Sequence, residues 1–345
     1  MAERQPVLVV DVGGTLVTRT RMGQTERIVE AVRLAKGLSA EAEGELRRTV
    51  LTSADAEACL RALNPPHGTR LLVAGELAAD PGEAIVLPGA EDLLRAAVET
   101  GWRVVVASNA GPGTPELPDS LARHVSAVVE SRRCGLVKED PRFWTKLVDT
   151  ERVDPHLALV VGDQPQADRD APAAAGLQSR LVREGELALL AADLAAAGPP
   201  PPDAFAVLGG DHEPWAGREI VVAPHLCSLL TRVTRARVKY VAGQAEGIAV
   251  VARRTSGSPA VLGPGDALPG VAWLVPGRER SPYTIPAGLR GVLEGYGLSL
   301  DVLSTADRRH ALSMIREARS DTTVAQRTAD LVRFLRERSK DGLLS

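Results

Sequence analysis

Residues 7–16 read Val-Leu-Val-Val-Asp-Val-Gly-Gly-Thr-Leu. An unbroken apolar run closed by a carboxylate and two glycines is the pattern of a strand buried on both faces. In open parallel sheets, ligands bind at the carboxyl ends of the strands, and Asp11 is predicted to stand at such an end. The glycines after it let the backbone approach a phosphate closely, with free N–H groups to cradle its oxygens. Taken alone the motif stays ambiguous, because an aspartate before a glycine turn is also an ordinary structural feature.

Working outward, the same grammar repeats. WRVVVASN (102–109) and LALVVGD (157–163) are two more buried strands, with a shorter one over 127–130 and LQSRLV over 177–182. Between them lie helical patterns. Leu93, Leu94, Ala97 and Val98 share one face before Gly101, residues 119–129 can be helical, DPRFWTKLVD (140–149) places Pro141 in a first turn, and 168–176 is short and ends at Gly176. Strands alternating with helices predict a parallel sheet covered on both faces. Residues 25–63 break the alternation with three helical patterns and no strand between them. Ser53, with Asp55 and Glu57 behind it, is the expected start of the third. A helical insertion over about 20–85 follows, with 64–88 as a proline-marked link back.

Four stretches carry chemistry. Asp11-Val12-Gly13-Gly14-Thr15-Leu16 closes the first strand. Ser108-Asn109 closes the second, where a hydroxyl and an amide can bond a phosphoryl oxygen or simply form a turn. Gly135-Leu136-Val137-Lys138-Glu139-Asp140-Pro141 holds one of only five lysines, against 36 arginines, which hints at a site that wants a compact ammonium. Gly162-Asp163 with Asp168 sets two carboxylates on the loop leaving a third strand, a donor set that suits Mg²⁺; as a plain structural feature, Asp168 is a helix N-terminal acid.

In this order the four stretches resemble the haloacid dehalogenase (HAD) superfamily, over about residues 5–208 and including the helical cap. The resemblance implies an HAD-like doubly wound parallel sheet with a small helical cap insertion. Asp11 would be the nucleophile, forming an aspartyl-phosphate. Mg²⁺ would sit among Asp11, the carbonyl of Gly13, Asp163 and Asp168. Ser108 would bind the transferring phosphoryl group, with Gly14, Thr15 and Asn109 around the substrate, and Lys138 would hold Asp11 ionised. One departure stands out. Phosphatases of the superfamily usually carry a second aspartate two residues after the nucleophile as general acid and base, and here that residue is Gly13. Losing such a group costs roughly 10²–10⁴-fold in rate.

The expected function is therefore a Mg²⁺-dependent phosphatase-type hydrolase acting on a small phosphorylated metabolite. The alternative is a weak or inactive HAD-like binding or scaffolding protein. Two rivals fit less well. Actin-like sugar kinases also use Asp-x-Gly-Gly-Thr but need a β-hairpin where 25–63 is helical, and dehalogenation does not need the carboxylates at 163 and 168.

Composition sets the outer limits. Of 345 residues, 44% are hydrophobic and 25% charged, which argues for a folded chain of about two domains. Ten aromatics and a net charge of −3 argue against a nucleic-acid-binding surface. Cys59, Cys134 and Cys227 show no CxxC spacing, so no disulfide or iron–sulfur framework is expected. The N-terminal stretch does not read as a signal peptide, no membrane span is seen, and a cytoplasmic location is expected.

GPPPP (198–202) reads as a linker, and DAFAVL (203–208) as a last strand of the first domain. The expected division is an HAD-like core over 1–210 and an α+β domain over 211–345. The latter has strands in EIVVA, ARVKYVA, GIAVVARR and VAWLV and helices near 304–318 and 321–338. Residues 203–345 carry a net charge of +4 against −7 for 1–202. The basic residues there read as a solvated helix face, the alternative being a surface for an acidic partner or nucleic acid, and any homodimer or protein partner is expected through this C-terminal domain. In the last helix Val324, Leu331, Leu335 and Phe334 are expected inward. His212, His225 and His310 are read as structural or exposed, and Cys227 as core.

Overall fold

The computed structural model describes residues 5–21, 23–183, 185–209, 219–221, 238–248, 250–253, 259–262, 270–276, 285–318 and 320–341. Strand β1 (Val7–Val10) is the centre of the molecule's main sheet. The chain then runs through β2 (Val17–Arg19), α1 (Gln24–Ala35), α2 (Glu43–Thr52), α3 (Ala56–Leu63), α4 (His67–Ala78) and β3 (Ala84–Val86). It continues with α5 (Ala90–Glu99), β4 (Arg103–Ser108), α6 (Asp119–Ala122), β5 (Ala127–Glu130), α7 (Ser131–Cys134), α8 (Pro141–Glu151) and β6 (Ala158–Gly162). After a single π-helical turn over Pro165–Asp170 come α9 (Ala171–Ala174), β7 (Gln178–Leu181), α10 (Glu186–Ala197) and β8 (Ala206–Leu208).

Five strands form the expected parallel sheet in the order β5-β4-β1-β6-β7. Val10 pairs with Val106 on one side and Val161 on the other, so the three buried runs end level. Alternating side chains fill opposite layers. Leu8, Val10, Val104, Val106, Leu159 and Val161 pack with helices α5 and α10. Val7, Val9, Val105 and Val160 pack with Phe143, Trp144 and Leu147 of α8. This two-sided burial is why the strands read as continuous apolar runs.

The cap is inserted between β2 and β3, which pair antiparallel and bring its two ends together. It has its own apolar core of Ile28, Val32, Leu46, Val50, Cys59, Leu63, Val73 and Leu77. It contains four helices rather than three: residues 67–78 of the expected link fold as α4, with Pro66 just before the first turn and Val73 and Leu77 one turn apart facing inward. Asp55 alone caps α3, accepting from the Ala58 amide at 2.8 Å. Ser53 instead closes α2, its hydroxyl donating to the Thr49 carbonyl.

The expected boundary lies near 210. The described contacts divide the chain into 1–277 and 278–345. Strand β8 does not join the parallel sheet. It pairs antiparallel with a later strand in a four-stranded sheet, formed with β10 (Val238–Ala242), β11 (Ala245–Ile248) and β14 (Ala272–Pro276). Between these, β9 (Glu219–Val221), β12 (Val250–Arg253) and β13 (Pro259–Leu262) form a three-stranded sheet. The physical reason is an aromatic seam. Trp273 of β14 packs on Trp102 at 5.2 Å between ring centroids and donates its indole N–H to the Gly198 carbonyl at 3.1 Å. The Gly-Pro stretch is thus bound into the first unit instead of separating two.

The second unit holds α11 (Ala287–Gly295), α12 (Thr305–Arg316) and α13 (Asp321–Asp341), the first of which the sequence pattern did not reveal. Leu289, Leu293, Leu312, Ile315, Leu331 and Leu335 form its core. Val332 is buried and Phe334 is 42% exposed, so Phe334 is not part of the inward stripe. His310 is exposed, while His212, His225 and Cys227 lie outside the described residues.

Candidate functional site

The site forms where β1 and β6 end. The Asp11 amide donates to the Val161 carbonyl at 2.9 Å, which pins the carboxylate at the sheet edge. A tight turn follows, with the Leu16 and Val17 amides both donating to the Val12 carbonyl. Gly14 sits at φ +83°, and a Cβ there would lie 2.5 Å from an Asp163 carboxylate oxygen. Only glycine allows that backbone conformation and that approach together.

Lys138 reaches the same point from the loop before α8. Its ammonium bonds Asp11 Oδ1 and lies 2.5 Å from Asp168 Oδ1. All three residues are buried. Asp168 is held by the π-helical turn, and its other oxygen accepts from the Gln164 amide at 3.0 Å. Gly162 lies directly beneath it: a Cβ at that residue would stand 2.2 Å from the Asp168 carboxyl carbon. Asp163 is the most accessible of the three acids and accepts from the Thr15 hydroxyl at 3.4 Å.

Burial is the strongest influence on Asp11. Together with Asp168 and Asp163 it outweighs the attraction of Lys138 and pushes the carboxyl up to about 6. Burial by itself would pull Lys138 down, but Asp11 and Asp168 outweigh it and hold the ammonium above its ordinary value. Asp163 is also raised, first by burial and then by Asp168. Three carboxylates therefore share one ammonium, and charge of one sign is left in excess. Carboxylate oxygens of Asp11, Asp163 and Asp168 lie within 4.8 Å of one another. All-oxygen donors, uncompensated negative charge and a glycine-lined cradle fit a hard divalent cation such as Mg²⁺. Gly13 can offer only its backbone.

The remaining expected residues are placed around this centre. Asn109 accepts from the Lys138 amide at 2.8 Å and donates to Glu139 at 2.9 Å, so it fixes the lysine loop. Ser108 ends β4 and lines a cleft of about 410 Å³ with Val12, Glu130 and Arg132. Two participants escaped the sequence reading. Trp144, fully buried, donates its indole N–H to the Lys138 carbonyl at 2.7 Å. Gly162 makes room for Asp168. The scarcity of tryptophan, four in the chain, was the available signal for Trp144.

A parallel α/β sheet with an acid–lysine cluster at its carboxyl edge and a cap inserted after the first strand defines a class of hydrolase domain. Residues 6–176 match the family of haloacid dehalogenase-like hydrolases, and this part of the chain belongs to it. The chain is similar to haloacid dehalogenase-like hydrolase domain-containing protein 3 of Homo sapiens, 34% identical over 99 residues, and to its Bos taurus counterpart, 31% identical over 99. Each alignment covers 28% of this chain and 39% of the relative, well under half of the relative's length. Among solved structures, similarity extends to a predicted HAD-like family hydrolase of Porphyromonas gingivalis (TM-score 0.37, 15% identity, 53% of this chain and 93% of that one). It extends also to CbbY of Rhodobacter sphaeroides in complex with phosphate (TM-score 0.35, 19% identity, 52% and 86%).

Proposed function

We propose that this site hydrolyses a small phosphorylated metabolite through an aspartyl-phosphate on Asp11, with Mg²⁺ bound by Asp11, Asp163, Asp168 and the Gly13 carbonyl. The observation that carries the reading is the buried Lys138 ammonium shared by Asp11 and Asp168 beside a third carboxylate. The cation, when bound, neutralises charge on the phosphoryl oxygens as the nucleophile approaches. The protein's own residues do the rest. Lys138 keeps the Asp11 carboxylate ionised and aimed. Thr15 and the Gly13–Gly14 turn hold Asp163 in place. Ser108, Asn109 and Gly14 are the substrate-side groups at the strand ends.

The test is hydrolysis of p-nitrophenyl phosphate with and without Mg²⁺, compared with Asp11→Asn, together with hydroxylamine trapping of an acyl-phosphate on Asp11. Mg²⁺-dependent release that is lost in Asp11→Asn supports the reading. Release that the substitution leaves intact refutes the nucleophile. A protein that binds Mg²⁺ and phosphate without turnover is instead the binding-protein alternative.

A further inference from the structure

The proton inventory of the site is short. Three ionisable groups act on the Asp11 carboxyl: Lys138, Asp168 and Asp163. Each is already engaged. The Lys138 ammonium points its donors at two carboxylates. Asp168 is ion-paired with Lys138 and accepts from the Gln164 amide, and Asp163 accepts from the Thr15 hydroxyl. Residue 13 faces open space, with no heavy atom within 4 Å of the point where a Cβ would sit. Glu139, the next acid along the lysine loop, is held by Asn109 and is not among the groups that act on Asp11. Among the ionisable groups that act on Asp11, then, none is left unengaged to give a proton to a leaving oxygen or take one from water.

Resting on the aspartyl-phosphate reading, we infer that the site serves phosphoryl donors whose leaving group departs without a proton, acyl or aryl and enol phosphates rather than alkyl esters, and that it pauses as the phosphoryl-enzyme. An Asp11 oxygen forms a bond to phosphorus while the bond from phosphorus to the leaving oxygen breaks, and that oxygen keeps the electron pair. An alkoxide is about as basic as hydroxide and cannot depart this way unaided. A carboxylate, phenolate or enolate can. In the second half, water attacks phosphorus, the bond to Asp11 breaks with its electrons returning to the carboxylate, and the water proton passes to solvent or to the phosphate product. The leaving carboxylate needs no help there, but the water lacks a base, which slows this half by about 10²–10⁴-fold. For an activated donor, phosphoryl-enzyme hydrolysis becomes the slow step.

The experiment is rapid-quench kinetics of the full chain with Mg²⁺ on 2,4-dinitrophenyl, p-nitrophenyl and phenyl phosphate and on glycerol phosphate. Expected is a burst of dinitrophenol equal to the enzyme concentration, then a slower steady state that added imidazole accelerates. Glycerol phosphate should turn over at least about 10²-fold more slowly. Residue 13 is not in the left-handed region and has room for a side chain, so Gly13→Asp is compatible with the fold. It should raise glycerol phosphate turnover by about 10²–10⁴-fold and remove the burst. The leaving-group dependence of the unaltered protein tests the idea even if that variant fails to fold. Similar rates on alkyl and aryl donors with no burst would overturn this inference and leave Asp11 as nucleophile. Loss of alkyl turnover in Glu139→Gln would overturn it by showing that a proton donor was present. No acyl-phosphate and no release from any donor would overturn both this inference and the reading beneath it.

Discussion

Two regions of the first unit are built on opposite physics. At the carboxyl edge of the parallel sheet, Asp11, Lys138 and Asp168 bury charge, a placement in which desolvation raises the Asp11 pKa despite a bonded ammonium. Near the Gly-Pro stretch, Trp102 and Trp273 bury apolar area; the Trp273 N–H donates to the Gly198 carbonyl, while the buried Trp102 N–H has no hydrogen-bond partner among the described residues. Burying an aromatic pair stabilises, while a buried ion cluster returns little net stability. The contrast teaches where to look: the first region is kept for what it does, the second for what it holds together.

The largest effect should come from Asp11→Asn, which keeps shape and removes the nucleophile. Activity should fall by about 10⁴-fold or more, while the thermal midpoint in metal-free buffer holds or rises, since a burdened carboxyl is gone. A variant that loses stability in step with activity would break the comparison. Lys138→Met should do damage of both kinds. Two buried carboxylates lose their counter-ion, so destabilisation of about 3–5 kcal/mol is expected in urea unfolding, with partial recovery on adding Mg²⁺.

Trp273→Ala sharpens the other side. It should cost about 3–5 kcal/mol and lower the unfolding midpoint, yet leave Mg²⁺ affinity by calorimetry unchanged in the folded protein. Gly14→Ala should cost at least about 1–2 kcal/mol from the positive φ alone, and weaken Mg²⁺ binding because the new methyl displaces Asp163.

The smallest effect is in pH. Asp11 is raised to about 6 in the folded state from an ordinary 3.8, so the folded protein holds that proton more tightly than the unfolded chain. On its account, metal-free stability declines as pH rises from about 4 to about 6 and then levels. Mg²⁺ competes with the same proton, so its affinity should climb over that interval and flatten above it. Asp11→Asn should weaken both trends, leaving the smaller share that belongs to Asp163.

Much of this was legible early because it is local. The runs 7–10, 103–108 and 158–162 had to be buried on both faces, and a strand so buried must end at a sheet edge, which fixed where Asp11 and Asp163 stand. Residues 67–78 were harder: two prolines suggested a link, and only their packing against α1 made a helix of them. Trp144 and Gly162 could not be seen as site residues because their role is to meet Lys138 and Asp168, which arrive from elsewhere in the chain.

By itself the sequence determined the alternating architecture, the cap's insertion point and the identity of the acid and lysine groups, since these follow from burial period and residue chemistry. The tertiary structure alone decided that Lys138 is shared between Asp11 and Asp168, that the space at Gly13 is not filled by another described side chain, and that the first unit runs to 277. Those facts depend on contacts between residues distant in the chain, such as Lys138 with Asp11 and Trp102 with Trp273, and no periodicity in the chain encodes which partner will arrive.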